Sequence, residues 1–565
     1  MIVLSSLQIL PLHVVEAIAH YYIGTHRSSY SSESAKSKQQ RNAWLVLYDI
    51  SYSWRTLALG YFCNGITLTV TTKIEKGGFT FSRLPRSIKK KNNELYNYVK
   101  NININICDVI DKPSEEKLLA FYAAWPENVV FPSARSLSIG LIGTIRQPDA
   151  EVNIAENEML IWIAQRIPTS IPMLQQAGIN ASIFSTYMLK STALHYIELK
   201  EDRIFSSIFG KVKNLKFNGV PIHIGSNGIF MQFFSGFASL YFNCSVNIDL
   251  FHCVVQRSAH MLESLDIVNL PCKNLRKLFY DDNDQPITYP KLRKLDYHLV
   301  SFVKAEDMLS LDESIVPFPA LTHLNWPTTY TFADDTLFRG NSDALEYLNV
   351  VFDTNLIDIL ERYSVFSGGK YSKLRHITAS KSYSIHTAQM SFESFARFAI
   401  SLISPATRSF KMIDHSPCQP LFDTISTNAF AENIQILNLG ATKLVLLDML
   451  DLIKLLPNIT DFTCLPGGIG SDLGKKRGKS MLDLHADYYP LSHRLKCWVI
   501  PYTNSIPVRS IALASISLAI LCTNFTFTAL PHSKRKVYHS ELTKALAIEE
   551  YSKYAEKIQL LFYRE

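Results

Sequence analysis

One phrase of apolar and polar positions recurs along most of this chain. It opens on a short entry, often an aromatic residue followed by proline. An apolar residue comes next, then two variable residues, a second apolar residue and a short β-prone run. The clearest copies are Tyr289-Pro290-Lys291-Leu292-Arg293-Lys294-Leu295-Asp296-Tyr297 and Phe318-Pro319-Ala320-Leu321-Thr322-His323-Leu324-Asn325-Trp326. Others centre on residues 98–102, 131–137, 194–197, 212–215, 237–240, 262–265, 345–348, 374–377, 434–437, 459–462 and 495–498. The two apolar residues mark entry into a strand and its inward face, and the variable residues point the other way.

Successive copies are commonly spaced in the twenties, which matches the period of leucine-rich repeats, about 20–29 residues. One such unit cannot bury its apolar side alone, so neighbours must stack. Between copies, residues 115–125, 157–166, 392–403 and 444–455 carry apolar positions at three- and four-residue intervals, the signature of a half-buried helix. The predicted fold is therefore α/β: a leucine-rich-repeat solenoid over residues 69–530, with parallel strands on the concave side and helices on the convex side. Residues 531–565 read as a C-terminal capping helix, because Ala547, Tyr551, Tyr554, Ile558 and Leu561 fall on one face. Residues 25–40 and 466–480 lack apolar periodicity and read as exposed loops.

Residues 1–68 depart from the phrase. Leu10-Pro11 places proline in the first turn of a helix, where its missing N–H costs nothing, and Val14, Val15, Ile18 and Tyr22 share one face. After the 25–40 insert comes a second helical stretch, with Leu47, Ile50, Trp54, Leu57, Ala58 and Phe62 at helical spacing. The Leu10, Pro11, Val14, Val15 and Ile18 pattern, followed by Ser51, Trp54, Arg55, Leu57 and Ala58, resembles the F-box/leucine-rich-repeat proteins, particularly the fungal F-box-like families. That resemblance, taken with the repeats, spans nearly the whole chain. It implies that Leu10, Pro11, Val14, Val15, Ile18, Trp54, Leu57 and Ala58 hold a Skp-type adaptor of a cullin-based ubiquitin ligase, while the repeats hold a protein target. The chain departs from the family in its 25–40 insert, and in having Leu12 and His13 where an acidic residue follows Leu-Pro.

Composition narrows the rest. At 47% hydrophobic and 19% charged residues, the chain has ample material for a continuous core. Its balance of 57 basic against 50 acidic side chains is too even for a dedicated nucleic-acid binder. The nine cysteines form no CxxC pair, which points to buried thiols rather than zinc ligands or a secreted disulfide framework. The apolar N-terminus lacks a basic start and is broken by Pro11, His13 and Glu16, so it does not read as a signal peptide, and no run of about 18 apolar residues suggests a membrane span. The expected location is the cytoplasm or nucleus. Gly474-Lys475-Lys476-Arg477-Gly478-Lys479-Ser480 lacks the glycine spacing of a phosphate-binding loop and reads as a solvated basic segment. The sixteen histidines are isolated from one another, and no catalytic motif, metal site or cofactor is expected.

Function is expected on the variable strand positions. In order these are Tyr196, Glu198, Asn214, Lys216, Asp266, Lys294, Asp296, His323, Asn325, Tyr347, Asn349, His376, Thr378 and Asn438. Both charge signs, amides and aromatics share this row, a mixture suited to protein recognition. Two readings follow for a non-catalytic binding protein. In one it is the substrate-recognition subunit of a cullin ligase; in the other it is a scaffold or regulator unconnected with ubiquitin, whose N-terminal helices only cap the solenoid.

Overall fold

The computed structural model describes residues 44–45, 48, 52–70, 79–81, 83–85, 88, 92–107, 119, 122–123, 125, 128–145, 158–185, 197–199, 212–219, 222–224, 236–243, 248–268, 276–281, 283–298, 312–326, 335–352, 354–362, 364–365, 370–381, 392–413, 431–444, 446–466, 495, 497–499, 518, 527–529 and 540–541. The 25–40 insert lies outside them, as does nearly all of the expected C-terminal cap.

The aromatic-proline entry is a turn. The N–H of the first apolar residue donates to the carbonyl of the entry residue three positions earlier: Leu321 to Phe318 (3.3 Å), Leu374 to Tyr371 (3.1 Å), Ile459 to Leu456 (3.1 Å) and Ala134 to Phe131 (3.1 Å). Pro132, Pro172, Pro290, Pro319, Pro405 and Pro457 occupy the second position of these turns, where the fixed φ of proline is already correct. Entry and apolar residues then both turn inward; Phe318, Leu321, Tyr289 and Leu292 are each 0% exposed.

Each turn delivers a strand, and a carbonyl ladder sets its register. Two successive N–H groups at strand entry donate to one carbonyl of the preceding rung: Thr322 and His323 to Arg293, Glu346 and Tyr347 to Thr322, Arg375 and His376 to Glu346, Arg408 and Ser409 to Arg375. The same pattern links Arg135 and Ser136 to Lys100, and Gln175 and Gln176 to Arg135. Rungs joined in this way lie 24 to 33 residues apart in the second half of the chain.

The chain falls into two compact units, residues 1–292 with 299–301, and residues 293–298 with 302–565. In the first unit the sheet runs β2 (Thr80–Phe81), β1 (Gly65–Val70), β3 (Asn101–Cys107), β4 (Ser136–Ile145), β5 (Gln176–Ser185), then β7 (Asn214–Gly219), β9 (Ser239–Asn243) and β10 (Ser264–Val268). Among the described strands of this sheet, only the β1–β2 pair is antiparallel. β6 (Ile197–Leu199) and β8 (Ile222–Ile224) form a separate parallel pair. In the second unit β11 (Lys294–His298), β12 (His323–Trp326), β13 (Tyr347–Phe352), β14 (His376–Lys381), β15 (Ser409–Ile413), β16 (Ile436–Leu444), β17 (Asp461–Pro466), β18 (Cys497–Val499) and β19 (Phe527–Ala529) pair in that order, all parallel. The class is α/β with long, mostly parallel sheets.

Helices pack against the inward side of the long sheet in each unit. Phe242 of β9 meets Phe251 of the helix Ile248–Ser258 edge-on at 5.4 Å, and Phe352 of β13 meets Phe398 of the helix Phe392–Ser401 in the same way, also at 5.4 Å. The helices Glu158–Ser170, Phe392–Ser401 and Leu446–Leu455 fall on three of the predicted helical stretches. Inward strand residues stack into continuous rows: Leu295, Leu324, Leu348, Phe410, Leu437, Phe462 and Trp498 are all 0% exposed. At about 25 cal/mol per Å² of apolar surface buried, each such side chain contributes about 1.5–3 kcal/mol. Cys63, Cys464 and Cys497 are also buried. Among the described residues, no helix is long and apolar enough to cross a membrane.

Two buried tyrosines tie turns to neighbouring backbone. Tyr289 donates its phenol to the Leu278 carbonyl at 2.5 Å, and Tyr371 donates to the Phe338 carbonyl at 3.2 Å. Burial pushes both phenols far above their ordinary range, with the Asp335 carboxylate adding to the rise at Tyr371. The folded chain therefore keeps both protons, whereas the unfolded chain releases them near pH 10. Stability from these groups is fully present below about pH 10 and is lost as pH rises beyond it. Urea midpoints should hold steady to about pH 9.5 and then fall, and the pair Tyr289→Phe with Tyr371→Phe should flatten that fall. An equally steep fall in the double variant would place the titration elsewhere.

Candidate partner-binding face

Because side chains alternate along a strand, the rows beside the buried leucines face away from the helices. In the second unit, strand pairing aligns Lys294, His323, Tyr347, His376, Ser409, Ile436 and Asp461 as one outward row. Two residues further along, Asp296, Asn325, Asn349, Thr378, Lys411, Asn438 and Thr463 form a second. Every expected binding position from Lys294 to Asn438 lies in one of these rows.

Some neighbours within these rows touch. His323 and Tyr347 stack with ring centroids 5.8 Å apart at 17°, and Tyr347 meets His376 at 6.2 Å and 40°. The Thr322 hydroxyl donates to the Arg293 carbonyl at 2.9 Å and lies 2.8 Å from His323 Nδ1, which holds the imidazole in place. Beside this aromatic row runs an amide ladder. Asn349 Nδ2 donates to Asn325 Oδ1 at 2.7 Å, and Asn325 Nδ2 lies 3.2 Å from His298 Nε2. At its edge Lys294 pairs with Asp296 at 2.5 Å, the carboxylate being far less exposed than the ammonium (12% against 49%). The ladder satisfies these polar groups without closing the surface, since His323 and His376 remain exposed.

The first unit carries a smaller counterpart. Lys216, Tyr241 and Asp266 align across β7, β9 and β10. The Lys216 ammonium sits 4.3 Å from the centre of the Tyr241 ring, a cation–π contact of about 0.5–1 kcal/mol at a surface. Asn214 aligns with Gln176 and Ser239. Glu198 does not join these rows, because among the described residues its strand β6 pairs with β8 alone. The phrase at 194–197 thus marks a strand outside the main sheet. Tyr196 lies outside the described residues.

Pattern reading missed Lys411, Tyr241 and Thr463. Lys411 belongs to β15, whose entry carries Ser404 and Thr407 where aromatic and leucine residues stand elsewhere. Tyr241 follows a phrase that was visible, at 237–240, and its alignment with Lys216 and Asp266 was the available signal.

The N-terminal positions are placed differently. Leu10, Pro11, Val14, Val15 and Ile18 lie outside the described residues. Trp54 and Ala58, on the helix Tyr52–Phe62, are 2% and 0% exposed and pack with Trp44, Leu59, Phe62, Ile88 and Leu95. Trp44 stacks on Tyr61 at 4.9 Å, and the Arg83 guanidinium lies over the Tyr61 ring, 5.3 Å from its centre. Trp54 and Ala58 are therefore buried core residues in this chain, and of the three expected positions on this helix Leu57 alone is part-exposed. The sheet itself begins at Gly65, inside the range 1–68 expected to be helical.

Among the described residues, no group of three or more His, Cys, Asp or Glu side chains is arranged to hold a metal. Compared with known proteins, the chain matches no protein-family model and no curated protein.

Proposed function

We propose that this chain is a leucine-rich-repeat-type solenoid that recognises a protein partner on the outward face of its parallel sheet. The observation that supports this reading is the pair of aligned outward rows from β11 to β16, where aromatic, amide and charged side chains stand over an unbroken buried layer. A rigid layer under adjoining polar and aromatic groups lowers the ordering cost of binding and supplies anchor residues of the kind that dominate protein interfaces.

The more specific proposal comes from the F-box-like resemblance of the N-terminal segment: the bound protein is presented to a Skp-type adaptor and cullin as a substrate for ubiquitin transfer. With Trp54 and Ala58 buried, the adaptor would contact Leu10, Pro11, Val14, Val15 and Ile18, with Leu57 at the margin. The test is affinity purification of the full chain beside a version lacking residues 1–43, which keeps Trp44 and the described residues packed with it. Adaptor and cullin are expected with the full chain and not with the shortened one. Their absence from both would end the ubiquitin reading and leave the scaffold reading, in which the helix Tyr52–Phe62 closes the first end of the sheet.

A further inference from the structure

Charge is distributed unevenly over the outward face of the second unit. Among the described residues, the outward positions of β11 to β15 and the residue just before each strand carry Arg293, Lys294, Arg375, Arg408 and Lys411 against Asp296 and Glu346. Asp296 is already paired with Lys294. Arg375 and Arg408 occupy the same position on adjacent rungs, their carbonyls serving successive steps of the entry ladder. Lys411 aligns with Thr378 one strand away, so these cations flank His376 and Tyr347.

The stacking of the rings decides what such a surface can hold. Tyr347 stacks on His323 and has His376 tilted at 40° against it on the neighbouring strand, so the Tyr347 ring has a neighbour on each side and is not an open stacking platform. Single-stranded nucleic acid is held by bases stacked on open ring faces. Edges, amides and cations instead offer hydrogen bonds and charge, which suit carboxylates and peptide groups. On this basis, and resting on the protein-binding reading above, we infer that the face of β12 to β15 docks an extended, acidic peptide segment of a partner protein. Arg375, Arg408 and Lys411 take its carboxylates, and the ring edges with the Asn325–Asn349 ladder take its backbone.

The test uses the full chain and a fluorescein-labelled peptide alternating Glu and Ser, followed by fluorescence anisotropy. A matched Lys-Ser peptide and a single-stranded oligothymidylate serve as competitors. Saturable binding of the Glu-Ser peptide that weakens with added salt is expected. The pair Arg375→Glu with Lys411→Glu should weaken it roughly tenfold or more, whereas Arg375→Lys with Lys411→Arg should retain most of it, both with unchanged melting curves. Equal binding of the Lys-Ser peptide, stronger binding of the oligothymidylate, or an unaffected charge-reversed variant would overturn the inference. A second arm separates it from the broader reading. If the chain captures a protein partner that Tyr347→Ala releases but the Glu-Ser peptide does not displace, the docking face stands and the acidic partner falls. If neither Tyr347→Ala nor the peptide affects capture, both fall.

Discussion

Leu348→Ala is expected to remove about 3–5 kcal/mol of stability, at the upper end of leucine truncations. Leu348 is 0% exposed and stands in the buried row of β13, aligned with Leu324 on one side and Ile377 on the other. Both neighbours are themselves buried within paired strands, so the backbone has little freedom to close the space. Stacked rungs are stabilised chiefly by their immediate neighbours, and a defect here weakens two contacts at once. Urea denaturation followed by circular dichroism should show the midpoint moving down, with a broader transition as the flanking rungs uncouple. A loss below about 1 kcal/mol would mean that the row is not a packed core.

Thr407→Val should cost about 1–3 kcal/mol despite nearly conserving shape. The buried Thr407 hydroxyl donates to the Leu374 carbonyl at 2.8 Å and receives the Ser404 N–H at 2.9 Å. Valine would leave that N–H without its acceptor inside the core, although the Ser404 hydroxyl, 3.2 Å from the same carbonyl, keeps part of the network. Thr407→Ser retains both bonds and should lose less. Equal losses for the two variants would show that the methyl group, rather than the hydroxyl, supports this turn.

Thr407 also shows where pattern reading stops. Where aromatic-proline and leucine residues coincide, as at Phe318, Pro319 and Leu321, the turn and strand were legible because each residue has one physical reason to be there. At β15 a pair of hydroxyls performs the same task by hydrogen bonding, and an apolar template passes over it. At β5 the second apolar position is Ala177, small but 1% exposed, and the phrase was again invisible. The phrase at 194–197 is the opposite case: a strand formed, but it found its partner in β8. The helix Tyr52–Phe62 was legible as a helix, yet its spacing alone did not tell whether Trp54 faces a partner or the core of its own chain.

The sequence by itself determined the alternation where the phrase is present: which strand positions turn inward, where proline opens a turn, and therefore that Lys294, Asp296, His323, Asn325, Tyr347, Asn349, His376, Thr378 and Asn438 face outward. These follow from local geometry, in which strand period and proline φ act within a few residues. Tertiary structure decided who stands beside whom. That His323 stacks on Tyr347, that Asn349 bonds Asn325, and that Lys411 joins the row all depend on register between rungs 24 to 33 residues apart. That register is set by shared backbone carbonyls at strand entry, which carry no side-chain signature for a pattern to reveal.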